Sequence, residues 1–175
     1  MRRSSRPLLV ALGLIVLTGC GAPGSGIGME CTAIGARTGL GLDIAAELAP
    51  DVDAAAVRLC QDDDCTETDL PACGDDCEID GLRPGTDTVD QGCADGVCSA
   101  SSVPNGELHG FVELPELVSG PAEVSVTLLD QAGTEVLTER ITVTVEDVYP
   151  NGPECGVGGA AAGVRVTEEH TLVEV

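Results

Sequence analysis

Apolar side chains recur at every second position in several short stretches of this chain. Leu40, Leu42 and Ile44 share one side of residues 39–44, the period of a half-buried strand. Residues 45–48 leave room for one helical turn before Pro50. Residues 54–60 read as a second strand, with Val57 and Leu59 on its inward face and Arg58 pointing away. Residues 61–95 change character. They are rich in Asp, Gly and Cys, and Leu70, Ile79, Leu82 and Val89 are too sparse for a continuous core face. Short strands and loops are expected there, one of them over residues 87–91, where Thr88-Val89 favours extended backbone.

Order returns after Cys98. Pro104-Asn105-Gly106 predicts a turn. Residues 107–114 predict a strand with Leu108, Val112 and Leu114 on one face and His109, Phe111 and Glu113 on the other. The clearest element is a hairpin. Val124, Val126 and Leu128 alternate in its first strand, Asp130-Gln131-Ala132-Gly133 turns the chain, and Ile141, Val143 and Val145 alternate on the return. Thr142 and Thr144 mark its wet face. Residues 156–163 read as a Gly/Ala loop and residues 164–175 as one or two strands.

No segment beyond the N-terminal leader sustains an apolar period of 3.6 residues, so the expectation is an all-β antiparallel sandwich. The hairpin is similar to those of immunoglobulin-like and fibronectin-like domains. The expected class is an immunoglobulin-like or fibronectin-like β-sandwich with a disulfide-stapled, loop-rich insertion.

The N-terminus changes the picture of where this domain works. Met1-Arg2-Arg3-Ser4-Ser5-Arg6-Pro7 is basic, residues 8–17 are apolar, and small residues follow, the order of a secretory signal peptide. The apolar run is about half the roughly 20 residues that a spanning helix requires. Leu17-Thr18-Gly19-Cys20 resembles a bacterial lipobox, in which a diacylglycerol is attached to the Cys and the leader is removed. The alternative is an ordinary signal peptide with an incidental Cys; Leu17 and Gly19 favour the lipobox. The resemblance implies a signal peptide over residues 1–19, lipidation at Cys20, a flexible tether over residues 20–29 and one domain over residues 30–175. It also implies a protein anchored to the cell membrane by lipid, on the extracytoplasmic face. The whole chain resembles the uncharacterised sandwich-type lipoproteins of high-GC Gram-positive bacteria, a family that carries no known chemistry to transfer.

Charge removes several classes of partner. Thirty acidic residues face eight basic ones, a net charge of −22, and there is no lysine. Nucleic acid, whose phosphates such a surface repels, is excluded as a partner. Phe111 and Tyr149 are the only aromatic residues, which leaves little for stacking against sugars and a core of Val, Leu, Ile and Ala.

Nine cysteines are present. With Cys20 set aside, Cys60/Cys65, Cys73/Cys77 and Cys93/Cys98 form local couples, and Cys31 and Cys155 are left near the ends of the domain. An even number in an exported chain reads as a disulfide framework. No CxxC occurs and neither histidine lies near a cysteine couple at ligand spacing, which argues against zinc.

The remaining motifs carry little chemistry. Residues 19–24 spell GxGxxG but straddle the expected cleavage site and follow no strand. Asp76-Cys77-Glu78-Ile79-Asp80-Gly81 with Asp87 outlines an EF-hand calcium loop. It departs from the pattern at Glu78, Pro84 and Asp87 and lacks flanking helices. Asp62, Asp63, Asp64 and Asp75 add charge nearby. His109 with Ser99, Ser101 or Ser102 is the one conceivable hydrolytic set, and no nucleophile-elbow spacing supports it. His170, beside Glu168 and Glu169, reads as a surface residue. No catalytic residue, cofactor or metal ligand is therefore assigned. The leading expectation is a non-enzymatic, lipid-anchored module that binds another envelope protein or has a structural role. A calcium-dependent adhesion module built on residues 62–80 comes second, and a hydrolase using His109 third.

Overall fold

The computed structural model describes residues 31–73, 81–94 and 96–175. The described residues form nine strands: β1 (Gly39–Ile44), β2 (Ala54–Gln61), β3 (Asp64–Pro71), β4 (Arg83–Ala94), β5 (Val97–Glu113), β6 (Gly120–Leu129), β7 (Glu135–Val148), β8 (Gly159–Val166) and β9 (Leu172–Glu174). Their hydrogen-bonded order is β3-β2-β6-β7-β8-β1-β5-β4, with β9 on the side of β8. The sheet passes from one layer to the other along β7. Residues up to Val145 pair with β6, and Glu146, Asp147 and Val148 pair with β8.

The fold is all-β and sandwich-like, because both halves of this path send their alternate side chains into one core. Leu40, Leu42 and Ile44 of β1, Val112 of β5, and Val164 and Val166 of β8 meet Ala55, Val57 and Leu59 of β2, Val124, Val126 and Leu128 of β6, and Val143 and Val145 of β7. The alternation read from β1, β2, β6 and β7 is the alternation of burial. The β6–β7 turn is fastened by Asp130, whose Oδ1 accepts hydrogen bonds from the Ala132 and Thr134 amides, both at 2.8 Å.

Four local features differ from expectation. The Gly/Ala run does not remain a loop: from Gly159 it is β8, packed between β1 and β7. Its small side chains depress strand propensity, but Ala160 is buried and the tertiary contacts override the propensity. One strand pair is parallel, β1 with β8, where the sequence predicts antiparallel strands, and the isolated bridge between Ala72 and Leu82 is parallel too. Within the stapled region the chain is more regular than expected. β3 is an edge strand with only Leu70 buried, and β2 holds it by register rather than by apolar burial. Finally, Pro104-Asn105-Gly106 does not reverse the chain. It lies inside β5 at a break in the β4–β5 register between Pro84 and Thr86, where Gly106 takes a φ of +84°. Residues 45–48 turn and lead into a single 3-10 turn at Ala49–Asp51.

Disulfides close both ends of this architecture. Cys31 is joined to Cys155, with Cα atoms 5.6 Å apart. The segment after Cys31 is then held along residues 151–158: Asn151 Nδ2 donates to the Ile34 carbonyl at 2.7 Å and the Ala36 amide to Gly158 O at 3.2 Å. Cys60–Cys65 and Cys93–Cys98 each staple a hairpin next to its turn, and each couple is also a register pair. Asp62, with φ +54°, opens the two-residue turn of the first. Cys73 is disulfide-bonded. Cys77 lies outside the described residues, as do Cys20, the expected leader and the expected tether within residues 1–30.

Candidate functional site

The β4–β5 hairpin is far longer than the sandwich needs. β5 pairs with β1 only over residues 108–113. From residue 86 to residue 104, β4 and β5 pair only with each other, and every described side chain of that ribbon is exposed. Val89, Val97 and Val103 are among the exposed apolar residues. Gln91 Nε2 donates to Ser101 Oγ at 3.0 Å across one face. The Cys93–Cys98 bridge closes the tip.

At the base of the ribbon, the outer face of β1, β5 and β8 carries a row of charged side chains. Register places Arg83 opposite His109, His109 opposite Asp43, and Asp43 opposite Arg165. His109 Nδ1 lies 2.5 Å from Asp43 Oδ1. A carboxylate accepts, so Nδ1 is the donor. His109 Nε2 sits 3.6 Å from Glu107 Oε2. Glu107 is also paired with the Arg165 guanidinium and accepts a hydrogen bond from Asn105 Nδ2 at 3.3 Å. The hydrogen bond from Arg165 is the main reason that the Glu107 carboxyl is held below its ordinary value. Partial burial opposes the effect, and the charges of Arg165 and His109 add to it. Arg165 in turn holds its proton more firmly than an isolated guanidinium.

The break in register makes room for this network. At the break, Gly85 alone on β4 faces Asn105, Gly106 and Glu107 on β5, and it is buried against His109: a Cβ there would strike His109 Nε2 and come within 2.5 Å of Asn105 Oδ1. Asn105, presented by the opposite side of the same irregularity, reaches Asp87 Oδ1 as well, at 3.2 Å. On the next rows Arg37 lies over the Phe111 ring, 4.0 Å from its centroid, and its Nε donates to Glu113 Oε1 at 3.0 Å. Arg37 and Glu113 are about half exposed, where such a pair contributes about 0.2–1 kcal/mol. The contact therefore fixes the guanidinium's position more than it stabilises the fold. Only the alternation of His109 and Phe111 with the core residues hinted at this face in the sequence. Asp43, Glu107 and Arg165 had no signal, because the ladder that joins them spans the chain.

The other candidates are not brought together. Ser102 and Ser101 pair with Thr88 and Val89 out on the ribbon. At about 3.3 Å per strand residue they stand roughly 20 Å from His109. His170 is exposed in the turn between β8 and β9, with φ +61°. Of the calcium-loop outline, Asp76, Glu78 and Asp80 lie outside the described residues, and Asp87 is on β4. Among the described residues no group of three His, Cys, Asp or Glu side chains is placed to hold a metal ion. No helix among them is long and apolar enough to cross a membrane.

No protein-family model matches the chain, and neither a curated protein nor a solved structure matches it.

Proposed function

We propose that this chain is a lipid-anchored, extracytoplasmic binding module that presents the β4–β5 ribbon to another envelope protein. The observation that carries the reading is the ribbon itself. Among the described residues, those of the segment 86–104 put no side chain into the core, and beyond β1 no described strand covers either edge of the ribbon. A free strand edge is a template for a partner's strand, and one left open by accident invites aggregation. This one carries Asp87 and Asp90, a second register break between Asp90 and Gly92, and Pro104. Those are features that blunt an open edge against unselected pairing. The disulfide keeps the tip ordered before contact, which lowers the entropic cost of binding. His109 supports a non-enzymatic reading, since both its ring nitrogens face carboxylates.

The test is capture from native membranes by the lipidated protein, beside a variant in which residues 87–103 are replaced by Asn-Gly. The full chain is expected to retain a specific partner that the shortened chain loses, with the sandwich still folded by circular dichroism. Equal capture by both removes the ribbon from the mechanism. Mass spectrometry of the same material tests the anchor. An acylated N-terminal Cys20 is expected, and an unlipidated N-terminus elsewhere overturns it.

A further inference from the structure

Two of the disulfides are near twins. Cys60–Cys65 and Cys93–Cys98 each join residues 5 positions apart, with Cα atoms 4.0 and 3.9 Å apart, and each is a register pair beside a hairpin turn. One neighbour distinguishes them. Arg58 Nη2 donates to Cys65 Sγ at 3.0 Å. Val57 and Leu59 turn inward, so Arg58 and Cys60 share the outer face of β2, and Cys65 lies across from Cys60 on β3. Arg58, Cys60 and Cys65 line one open groove of ≈ 490 Å³, together with Asp62, Asp63 and Glu123. Glu123 is itself paired with Arg140 at 3.3 Å. Five of the eight arginines follow Cys20, and the remaining three of those five hold other places: Arg37 on Phe111, Arg165 on Glu107, and Arg83 across from His109 at the base of the ribbon.

We propose that Cys60–Cys65 is a thiol–disulfide exchange site, attacked at Cys60 by an uncharged dithiol, with Cys65 as the leaving thiolate. This holds whatever partner the ribbon takes. A guanidinium beside a thiol favours its ionised form, and the sulfur that better carries the charge leaves faster. Arg58 therefore gives the bond a direction. A thiolate of the reductant attacks Cys60 Sγ and forms a bond there. The Cys60–Cys65 bond breaks, and its electron pair leaves on Cys65 Sγ beside Arg58. The second thiolate of the reductant then attacks the reductant's sulfur in this mixed disulfide and expels Cys60. Two electrons pass to the protein, the dithiol becomes a disulfide, and its two protons end on the two cysteines. The fold supports the same order. β2 is flanked by β3 and β6, and its last residue is fastened by Gln61 Nε2, which donates to the Val118 carbonyl at 2.7 Å. β3 is the edge and buries only Leu70, at the end away from the turn. Cys65 can thus move off with the tip of β3 while Cys60 stays in place. Asp62 and Asp63 in the groove repel an anionic reductant, which selects an uncharged one.

The experiment treats the intact, oxidised protein, with any free thiol blocked beforehand, with limiting dithiothreitol at fixed pH and ionic strength. Samples are quenched in acid, the new thiols are alkylated, and peptide mass spectrometry reads each bridge. Exposure alone predicts that Cys93–Cys98 opens first, since both of its cysteines are exposed whereas Cys60 is half-buried. The reverse order is expected. Arg58→Gln should slow reduction of Cys60–Cys65 by about threefold or more and leave Cys93–Cys98 unchanged, and Arg58→Lys should keep most of the rate. A second arm uses 2-mercaptoethanol, a monothiol that leaves the mixed disulfide in place. The adduct is expected on Cys60, with Cys65 free. Opening of Cys93–Cys98 first, or an equal effect of Arg58→Gln on both bridges, overturns the site. An adduct on Cys65, or equal amounts on both sulfurs, overturns the direction and with it the role of Arg58. The order of opening and the position of the adduct are read on the wild-type protein, so both stand even if a variant fails to fold.

Discussion

Gly85 and His109 are held so close across the β4–β5 ladder that a Cβ on residue 85 would strike His109 Nε2 and lie 2.6 Å from Cδ2. The glycine is there for the ring, not for an unusual backbone angle, since its φ is not positive. Gly85→Ala is therefore expected to destabilise the domain by about 1–3 kcal/mol, the usual cost of overpacking. His109→Ala should itself cost little and should restore most of that loss in the double variant. Urea denaturation of the four proteins measures the coupling. Additive losses would mean that the collision is absorbed elsewhere.

The Glu107–Arg165 pair makes part of the stability sensitive to acid. Its sign follows from the lowered carboxyl. A carboxyl depressed in the folded state adds stability above its unfolded value and loses it as pH falls through the folded one. Glu107→Gln is accordingly expected to be less stable than the parent at pH 7, and the gap should close as pH falls below about 4, the ordinary glutamate range. Urea midpoints of both proteins at pH 7, 5 and 3 decide it. A gap that is constant over that range would show that Glu107 acts through packing.

The boundaries of β1 and the burial pattern of β6 and β7 were legible because each strand has one dry face, and alternation reports that directly. β3 and the outer part of β4 have no dry face, so their strand character comes from register with β2 and β5 and leaves no apolar period to read. β8 was hidden for the opposite reason. Gly159 to Ala162 are small residues that pair with β1 and β7, and small residues look like a loop in sequence. The His109 network was illegible because its members belong to four strands. Asp43 is 66 positions from His109 and Arg165 is 58 from Glu107. No local pattern can announce a charge row that exists only after the ladder forms.

Divalent cations separate a calcium site from simple screening. Thirty carboxylates repel one another, and any cation relieves part of that repulsion in proportion to ionic strength. With ionic strength fixed and high, calcium and magnesium are expected to leave the melting temperature equally unchanged. A saturable rise with calcium alone, abolished by Asp76→Ala or Asp80→Ala, would establish the adhesion reading instead. It would reach about 2.7 kcal/mol at a hundredfold excess over the dissociation constant.

The two kinds of disulfide should behave differently, because a bridge stabilises only the part of the chain that unfolds with it. Cys31–Cys155 spans 124 positions and ties the first described segment to the turn after β7. Replacing both cysteines with serine is expected to cost about 5 kcal/mol on the chain-entropy account. Cys93–Cys98 closes a short loop, for which the same account gives about 2 kcal/mol. The described residues of its ribbon, however, contribute no side chain to the core, so it can open while the sandwich stays folded. The Cys93→Ser/Cys98→Ser variant should therefore keep a global urea midpoint close to that of the parent. Its loss should appear instead as faster amide exchange at Thr88, Val89, Ser101 and Ser102, by about 30-fold if the full 2 kcal/mol is local. A large fall in the global midpoint, with exchange on the ribbon unchanged relative to the core, would mean that the ribbon folds as part of the sandwich. Its exposure would then no longer mark it as a separable arm.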